Sequence, residues 1–375
     1  MDAVLPWLDR WHTARDRVLA SRRFQRWAAG FPLTRWVARR RARALFDLCA
    51  GFVYSQVLAA FVRLRLPEIL LEGPRTVAAL APRLALSESA TARLLAAAVS
   101  LRLAAPRGGG RFGLGPLGAA LAGNSGVAAM VEHHALLYGD LADPVALLRG
   151  ERPPTGLSGY WAYASASDPA ALDGERVAAY TSLMAASQTL VADEILDAYP
   201  LGGHRTVLDV GGGDGAFLAR VGARWPALRL LLFDLPPVAE RARSRFAACG
   251  LADRATAYGG DFRSAPLPRG ADAATLVRVL HDHDDEPALA LLAAVWEALA
   301  PGGTVLVAEP MSGTAGAEPV GDAYFGFYLL AMGSGRPRSA REVEALLARA
   351  GFERIRRLAT RNPVAASIVV GRRPS

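Results

Sequence analysis

The chain has 375 residues, 52% hydrophobic and 21% charged, a globular profile long enough for two ordinary domains. Its formal charge is +8, every basic residue is arginine, and residues 1–43 hold eleven arginines against Asp2, Asp9 and Asp16. The basic excess therefore belongs to an N-terminal arm and not to the body. Arg and Asp break the N-terminus every few residues, and no uninterrupted apolar run reaches about 18 residues, so neither a secretory signal nor a membrane span is expected. Cys49 and Cys249 match no metal-ligand spacing and are expected as small core residues in a reducing compartment.

In the arm, Trp7, Trp11, Ala14 and Val18 fall on one helical face, with Arg10 and Arg17 off that stripe. Trp and Arg so arranged suit an anionic membrane surface, where indole sits at the headgroups and guanidinium meets lipid charge. The same aromatics equally suit packing on the protein's own body or on a second subunit, and both readings stand. Residues 44–66 form a helix whose wide apolar face (Leu45, Phe46, Leu48, Phe52, Val57, Phe61) suits dimerisation. Two short helices are expected at 76–84 and 87–100, the second capped by Ser87. A hairpin follows from Leu101–Pro106, a Gly108–Gly110 turn and Arg111–Leu114.

Two helices and a β-wing make a winged helix, which raises a DNA-binding regulator as a rival class. Its recognition helix, Glu88–Ser100, offers Arg93 as its only base and is otherwise largely apolar, so no nucleic-acid partner is expected. Residues 150–170, rich in Gly, Pro and Ser, read as a connection, and a helix is expected over 175–198. From residue 205 strands and helices alternate, the pattern of an α/β, Rossmann-like sheet covered on both faces. The domains are thus a basic aromatic arm (1–43), a winged-helix-like dimerisation domain with its connection (44–170), and a catalytic domain (171–375).

Strand 206–210 runs into Gly211-Gly-Gly-Asp-Gly215 and a helix. Two cofactor classes use such loops. A dinucleotide fold needs G-x-G-x-x-G against a pyrophosphate, whereas here Gly211, Gly213 and Gly215 give G-x-G-x-G behind Asp209. A carboxylate there repels a pyrophosphate and suits the sulfonium and ammonium of S-adenosylmethionine. Asp234 ends the second strand and can accept both ribose hydroxyls, while Asp261 and Phe262 suit an adenine amine and ring. Leu235 and Arg278 complete the expected cofactor set.

The strings LDVGGGDG (208–215), FDLPPV (233–238), GGDF (259–262), LHDHDDE (280–286) and WEALAPGG (296–303) carry a resemblance to the class I methyltransferases. Over nearly the full chain the sequence resembles the plant-type and bacterial small-molecule O-methyltransferases. The arm, GFVYSQVL (51–58) and AMGSGRPRS (331–339) are similar to the carotenoid branch that acts on hydroxyneurosporene and demethylspheroidene. The resemblance implies a homodimer built on a winged helix without DNA-binding duty, S-adenosylhomocysteine as by-product and no metal. It makes His281 the general base, with His283 as the competing histidine in a place where the family carries Trp. It maps one acid that orients the base onto Glu297 and a second near Arg336-Pro337, where no carboxylate stands.

A histidine with an ordinary pKa of about 6.5 is a sensible base at neutral pH. Asp284 or Asp285 is expected to cap the following helix. Residues 320–332 supply an aromatic acceptor wall, with Tyr324, Phe325, Tyr328 and Met332 as substrate contacts. Asp282, Tyr180 and Met184 join them, and His133-His134 are expected in hydrogen-bonding roles. A small apolar hydroxylated acceptor follows, an acyclic carotenoid by the resemblance. A phenolic or polyketide-like acceptor and a catalytically silent cofactor-binding regulator are the alternatives. The expected location is cytoplasmic, peripheral on the inner face of the membrane.

Overall fold

A computed structural model describes residues 6–151, 154–160, 188 and 191–375. The chain divides into two compact units, Met1–Ala122 and Gly123–Ser375. The boundary expected at 170/171 lies outside the described residues.

The first unit opens with three helices, α1 (Pro6–Ala20), α2 (Arg22–Gly30) and α3 (Arg35–Arg63). Trp7, Trp11, Trp27 and Trp36 stand exposed on them, and Leu33 in the turn between α2 and α3 is exposed as well. Leu48 of α3 is 81% exposed and Phe52 73%. α3 is long and apolar enough to cross a membrane by length and composition, with mean hydropathy 1.7 over an 18-residue window. Asp47, Ser55 and Gln56 interrupt this stretch, so the helix passes on its mean hydropathy and not on an unbroken apolar run. Next come α4 (Leu66–Leu71), β1 (Arg75–Thr76), α5 (Val77–Arg83), α6 (Glu88–Ser100), β2 (Ala104–Arg107), β3 (Arg111–Leu114) and α7 (Pro116–Ala122). Ser87 caps α6 as expected, its Oγ accepting from Ala90 N at 3.1 Å. β3 lies between β1 and β2 in an antiparallel sheet, the wing. Thr91, Leu95 and Ala98 of α6 are buried, the use its apolar sequence foretold.

The second unit begins with α8 (Ser125–Asp140), α9 (Pro144–Leu148) and α10 (Gly156–Tyr160). Asp140 ties α8 to α10, accepting from Gly156 N and Leu157 N at 2.8 Å each. A helical stretch over 191–198 leads to the sheet. Its elements are β4 (Thr206–Val210), α11 (Ala216–Arg224), β5 (Arg229–Asp234), α12 (Pro236–Ala248), β6 (Ala255–Gly259), β7 (Ala271–Val277), α13 (Asp285–Ala298) and β8 (Leu299–Glu309). After β8 come a π-helical turn (Val320–Phe325), α14 (Gly326–Met332), α15 (Ala340–Arg349), β9 (Glu353–Leu358) and β10 (Ser367–Arg372). The strand order is β6-β5-β4-β7-β8-β10-β9, with β10 antiparallel to both neighbours and the rest parallel.

Side chains alternate across this sheet. Val207, Leu230, Leu232 and Leu306 enter one core with Phe217 and Phe246. Leu208, Leu231, Val305 and Val307 enter the other with Leu291 and Leu347. Both faces are filled, so the carboxyl ends of β4, β5, β7 and β8 are left as the place for a ligand. Cys49 and Cys249, expected in the core, are both exposed, because each lies on the outer side of its helix end or run.

Candidate active site

Backbone at the ends of β4, β5 and β7 encloses a cavity of about 250 Å³. Gly211, Gly213, Asp234, Leu235, Asp261, Phe262, Arg278 and Asp282 all line it, eight of the residues singled out by sequence. Gln188, His283, Asp284 and Ser334 also line it and were missed as ligand contacts. A Cβ on Gly213 would meet nothing within 4 Å, so that residue presents bare backbone to the open space. Asp234 is anchored by Gly213 N at 2.8 Å and Leu235 N at 2.7 Å. Each of its oxygens keeps a further lone pair for a hydroxyl. Burial lifts the Asp234 carboxyl to about 6, against the pull of those two backbone donors. For Asp261, burial works upward but is outweighed by the hydrogen bonds and charge of Arg263, so it sits below the usual range. The Phe262 and His283 rings meet edge to face at 5.1 Å.

Two expected cofactor contacts stand behind this wall. Asp209 is 1% exposed, and its Oδ1 accepts from Thr275 Oγ1 at 2.6 Å. Among the described residues its Oδ2 has no hydrogen-bond partner, and it lies 2.6 Å from where a Gly212 Cβ would be. Burial pushes Asp209 up to about 7, with Thr275 opposing and Asp234 adding to the rise. Asp209 therefore ties β4 to β7 behind the cavity and does not line it. Gly215 adopts φ +81, and a Cβ there would meet Phe246 at 2.6 Å. That glycine lets α11 pack on α12 and does not face the cavity.

Beyond β7 the chain forms a 3-10 turn, Leu280–Asp282, and the His281 ring is 5% exposed. Its Nε2 lies 3.0 Å from Asp282 Oδ1 and its Nδ1 3.7 Å from Glu309 Oε2. Burial works against the imidazolium, but Asp282 and Glu309 outweigh it and hold the His281 pKa above its ordinary value. Burial likewise raises Glu309, with the charges of His281 and Arg338 pulling the other way, and its Oε1 accepts from Leu280 N at 3.1 Å. For His283, burial dominates and lowers the pKa, and its ring stands on the cavity wall.

The acids beside His281 are thus Asp282 and Glu309, and not Glu297. Glu297 sits on the exposed side of α13 near Arg269, where its side chain is 68% exposed. Sequence held the signal for Glu309: like Asp209 and Asp234, it closes an apolar strand with a carboxylate. Asp284 occupies the N-cap position of α13 but caps nothing with its side chain, which accepts from Gly335 N instead. Asp285 pairs with Arg336 and Arg338.

The expected acceptor wall divides. Phe325 places its ring 5.5 Å from His281 and Tyr324 packs on Phe325, both half-buried. Tyr328 and Met332 are buried with Leu137, Leu147 and Leu157, because α8–α10 cover α14. They are core residues. His133 and His134 bond the tyrosine hydroxyls of Tyr328 and Tyr324, at 2.9 and 2.7 Å. Burial brings His133 down to about 4 and lowers His134 as well. Tyr180 and Met184 lie outside the described residues.

An O-methyltransferase domain model matches residues 138–353, and an O-methyltransferase dimerisation domain model matches 46–124. The chain belongs to the O-methyltransferase family. Demethylspheroidene O-methyltransferase of Cereibacter sphaeroides is 48% identical over 359 residues, 96% of this chain and 94% of that one. The Rhodobacter capsulatus protein of the same name is 43% identical over 95% of this chain and 88% of its own. Among solved structures, the methyltransferase CalO1 of calicheamicin biosynthesis, in its SAH-bound form, aligns with a TM-score of 0.74 and 28% identity. That alignment covers 90% of this chain and 98% of CalO1.

As a member of this family the protein is an S-adenosylmethionine-dependent O-methyltransferase with a class I fold and an N-terminal helical dimerisation domain. The residues present fit that cofactor. Asp234 offers lone pairs for hydroxyls, Gly211–Gly213 present backbone without side chains, and Phe262 with His283 gives apolar ring edges. Among the described residues no group of three or more His, Cys, Asp or Glu is placed to hold a metal ion. The dimerisation match begins within α3, whose Phe46, Leu48 and Phe52 stand exposed.

Proposed function

We propose that this O-methyltransferase methylates a hydroxyl of an acyclic, hydroxylated carotenoid of the hydroxyneurosporene or demethylspheroidene type, with His281 as general base. The observation that carries the acceptor is the 48% identity over 94% of a demethylspheroidene O-methyltransferase. The half-buried Phe325 beside His281, with Tyr324 packed on it, supports it, since an apolar polyene favours an aromatic surface. When bound, S-adenosylmethionine supplies an electrophilic methyl group that the acceptor oxygen takes by in-line displacement. The protein's task is then to orient the hydroxyl and accept its proton. Glu309 stabilises the imidazolium that His281 becomes. A neutral imidazole cannot fully ionise an aliphatic alcohol in advance, so the proton leaves as the new O–C bond forms, or after it.

Membrane contact through the arm belongs to the same reading. A carotenoid resides in the bilayer, and the exposed Trp7, Trp11 and Trp27, set among the arm's arginines, suit the anionic cytoplasmic face of a membrane. Full-length protein is expected to sediment with anionic vesicles at low salt and to be released by high salt. A chain lacking residues 1–43 is expected to stay in the supernatant; no sedimentation of the full chain at low salt removes the membrane contact.

The acceptor is tested by incubating the enzyme with labelled S-adenosylmethionine and a panel of acyclic hydroxycarotenoids and phenols. A methyl ether of the hydroxycarotenoid, identified by mass and NMR, is the expected product. Transfer to phenols alone would replace this reading with a phenolic or polyketide-like acceptor.

A further inference from the structure

The catalytic turn is held by a device that the reaction scheme above does not use. Arg338 is the largest fully buried side chain among the described residues, at 0% exposure. A charged side chain so placed must be satisfied by partners, and here they are the backbone of the turn that carries His281. Its Nη1 donates to Leu280 O at 2.8 Å and its Nη2 to His283 O at 2.7 Å. Nε and Nη2 also donate to Asp285 Oδ1, at 3.0 and 2.8 Å. The two carbonyls between them are taken by the same segment. Arg336 N donates to His281 O at 2.9 Å, and Ser334 Oγ to Asp282 O at 3.1 Å.

Four successive carbonyls, Leu280 to His283, are therefore gripped from one five-residue segment, 334–338. Close approach is built in at Gly335, whose φ is +77 and whose Cβ, if present, would lie 2.1 Å from His281 O. The segment is itself anchored. Ser312 N donates to Arg338 O at 3.0 Å, and Ser339 forms a capping box with Glu342 at the start of α15. Within the turn, His281 points to Glu309 and Phe325, while Asp282 and His283 face the cofactor cavity.

We propose that Arg338 is a positioning residue for methyl transfer, fixing the His281 turn by its carbonyls so that the base and the cofactor wall keep one relative placement. The proposal rests on the reading of His281 as base. A side chain held on a short irregular turn needs such support, because a displacement of about 1 Å at a reacting group costs on the order of 10²-fold in rate. The guanidinium fork suits this task where an ammonium does not, since it reaches two carbonyls and a carboxylate from one plane.

The test compares full-length Arg338→Met, Arg338→Lys and His281→Ala with the parent enzyme. Turnover, S-adenosylmethionine affinity, thermal melting and rescue by guanidinium chloride below denaturing concentration are measured on each. For Arg338→Met, turnover is expected to fall about tenfold or more while cofactor affinity moves by less than about threefold. Guanidinium is expected to restore several-fold of that loss by occupying the vacated space, and methylammonium is not. Arg338→Lys is expected to lie between Met and the parent. Turnover within about twofold of the parent in Arg338→Met overturns the proposal. So does a loss that follows the lost folded fraction and that guanidinium leaves untouched, which marks Arg338 as a stabilising residue only. Unchanged turnover in His281→Ala removes the base itself and is read separately from the Arg338 results.

Discussion

Replacing Glu309 by Gln isolates the charge that this structure sets behind His281. Gln keeps the shape and an oxygen for Leu280 N, which Glu309 Oε1 now accepts at 3.1 Å, and removes a carboxylate 3.7 Å from His281 Nδ1. Unit charges about 4 Å apart interact by roughly 4 kcal/mol at an effective dielectric of about 20. That is a ceiling of about three pKa units. Asp282 remains 3.0 Å away on the other nitrogen, and burial raises the Glu309 pKa, so a smaller effect is expected. The imidazolium loses its partner while the neutral ring loses little, so the His281 pKa must fall. Because the neutral ring is the base, the acid limb of the rate profile should move to lower pH, by about one to two units. The plateau should fall roughly 10- to 100-fold, since a weaker and less well oriented base accepts the proton less readily. Single-turnover rates against pH, at saturating cofactor and acceptor, read both effects. An acid limb that stays in place would show that Glu309 does not act on His281.

The raised Asp209 and Asp234 favour their protonated forms in the folded chain. Such groups contribute stability that is whole below the unfolded carboxylate pKa of about 4 and is lost as pH rises through their folded values. The ligand-free protein should therefore lose melting temperature between about pH 4 and pH 7, and Asp209→Asn should flatten that fall. The relief at pH 8 should be on the order of 2–4 kcal/mol, and parallel melting curves for parent and variant would contradict it. Gly215→Ala combines a left-handed backbone with a Cβ 2.6 Å from Phe246. It should cost about 1–3 kcal/mol in denaturant unfolding and weaken S-adenosylmethionine binding. An unchanged unfolding midpoint would show that α11 and α12 accommodate the methyl group.

Much of the cofactor site was legible because its determinants are local. The glycines of 211–215, the Asp closing β5 and the Asp261-Phe262 pair lie within short stretches whose types and spacing state their chemistry. The Ser87 cap and the Gly108–Gly110 turn were legible for the same reason. Contacts made by strand pairing were not. Val277 of β7 pairs with Ala308 of β8, and that register brings the turn after β7 to the residue after Ala308, which is Glu309. Sequence distance hides this neighbour, and the family resemblance places the orienting acid on Glu297 instead. Tyr328 and Met332 were misread for a related reason. Their helix has an apolar face, but only the packing of α8–α10 decides that the face is core. Likewise Arg338, one of three arginines between 336 and 341, gives no sign that it will be the most deeply buried charge in the site.

The most direct test of the central claim pairs two quantities on one sample of His281→Ala: S-adenosylmethionine affinity and turnover of a hydroxycarotenoid. His281 is not on the cofactor wall, so affinity should stay within about threefold of the parent while turnover falls by about 10²-fold or more. Turnover equal to that of the parent, with cofactor bound normally, would contradict the assignment of His281 as the base.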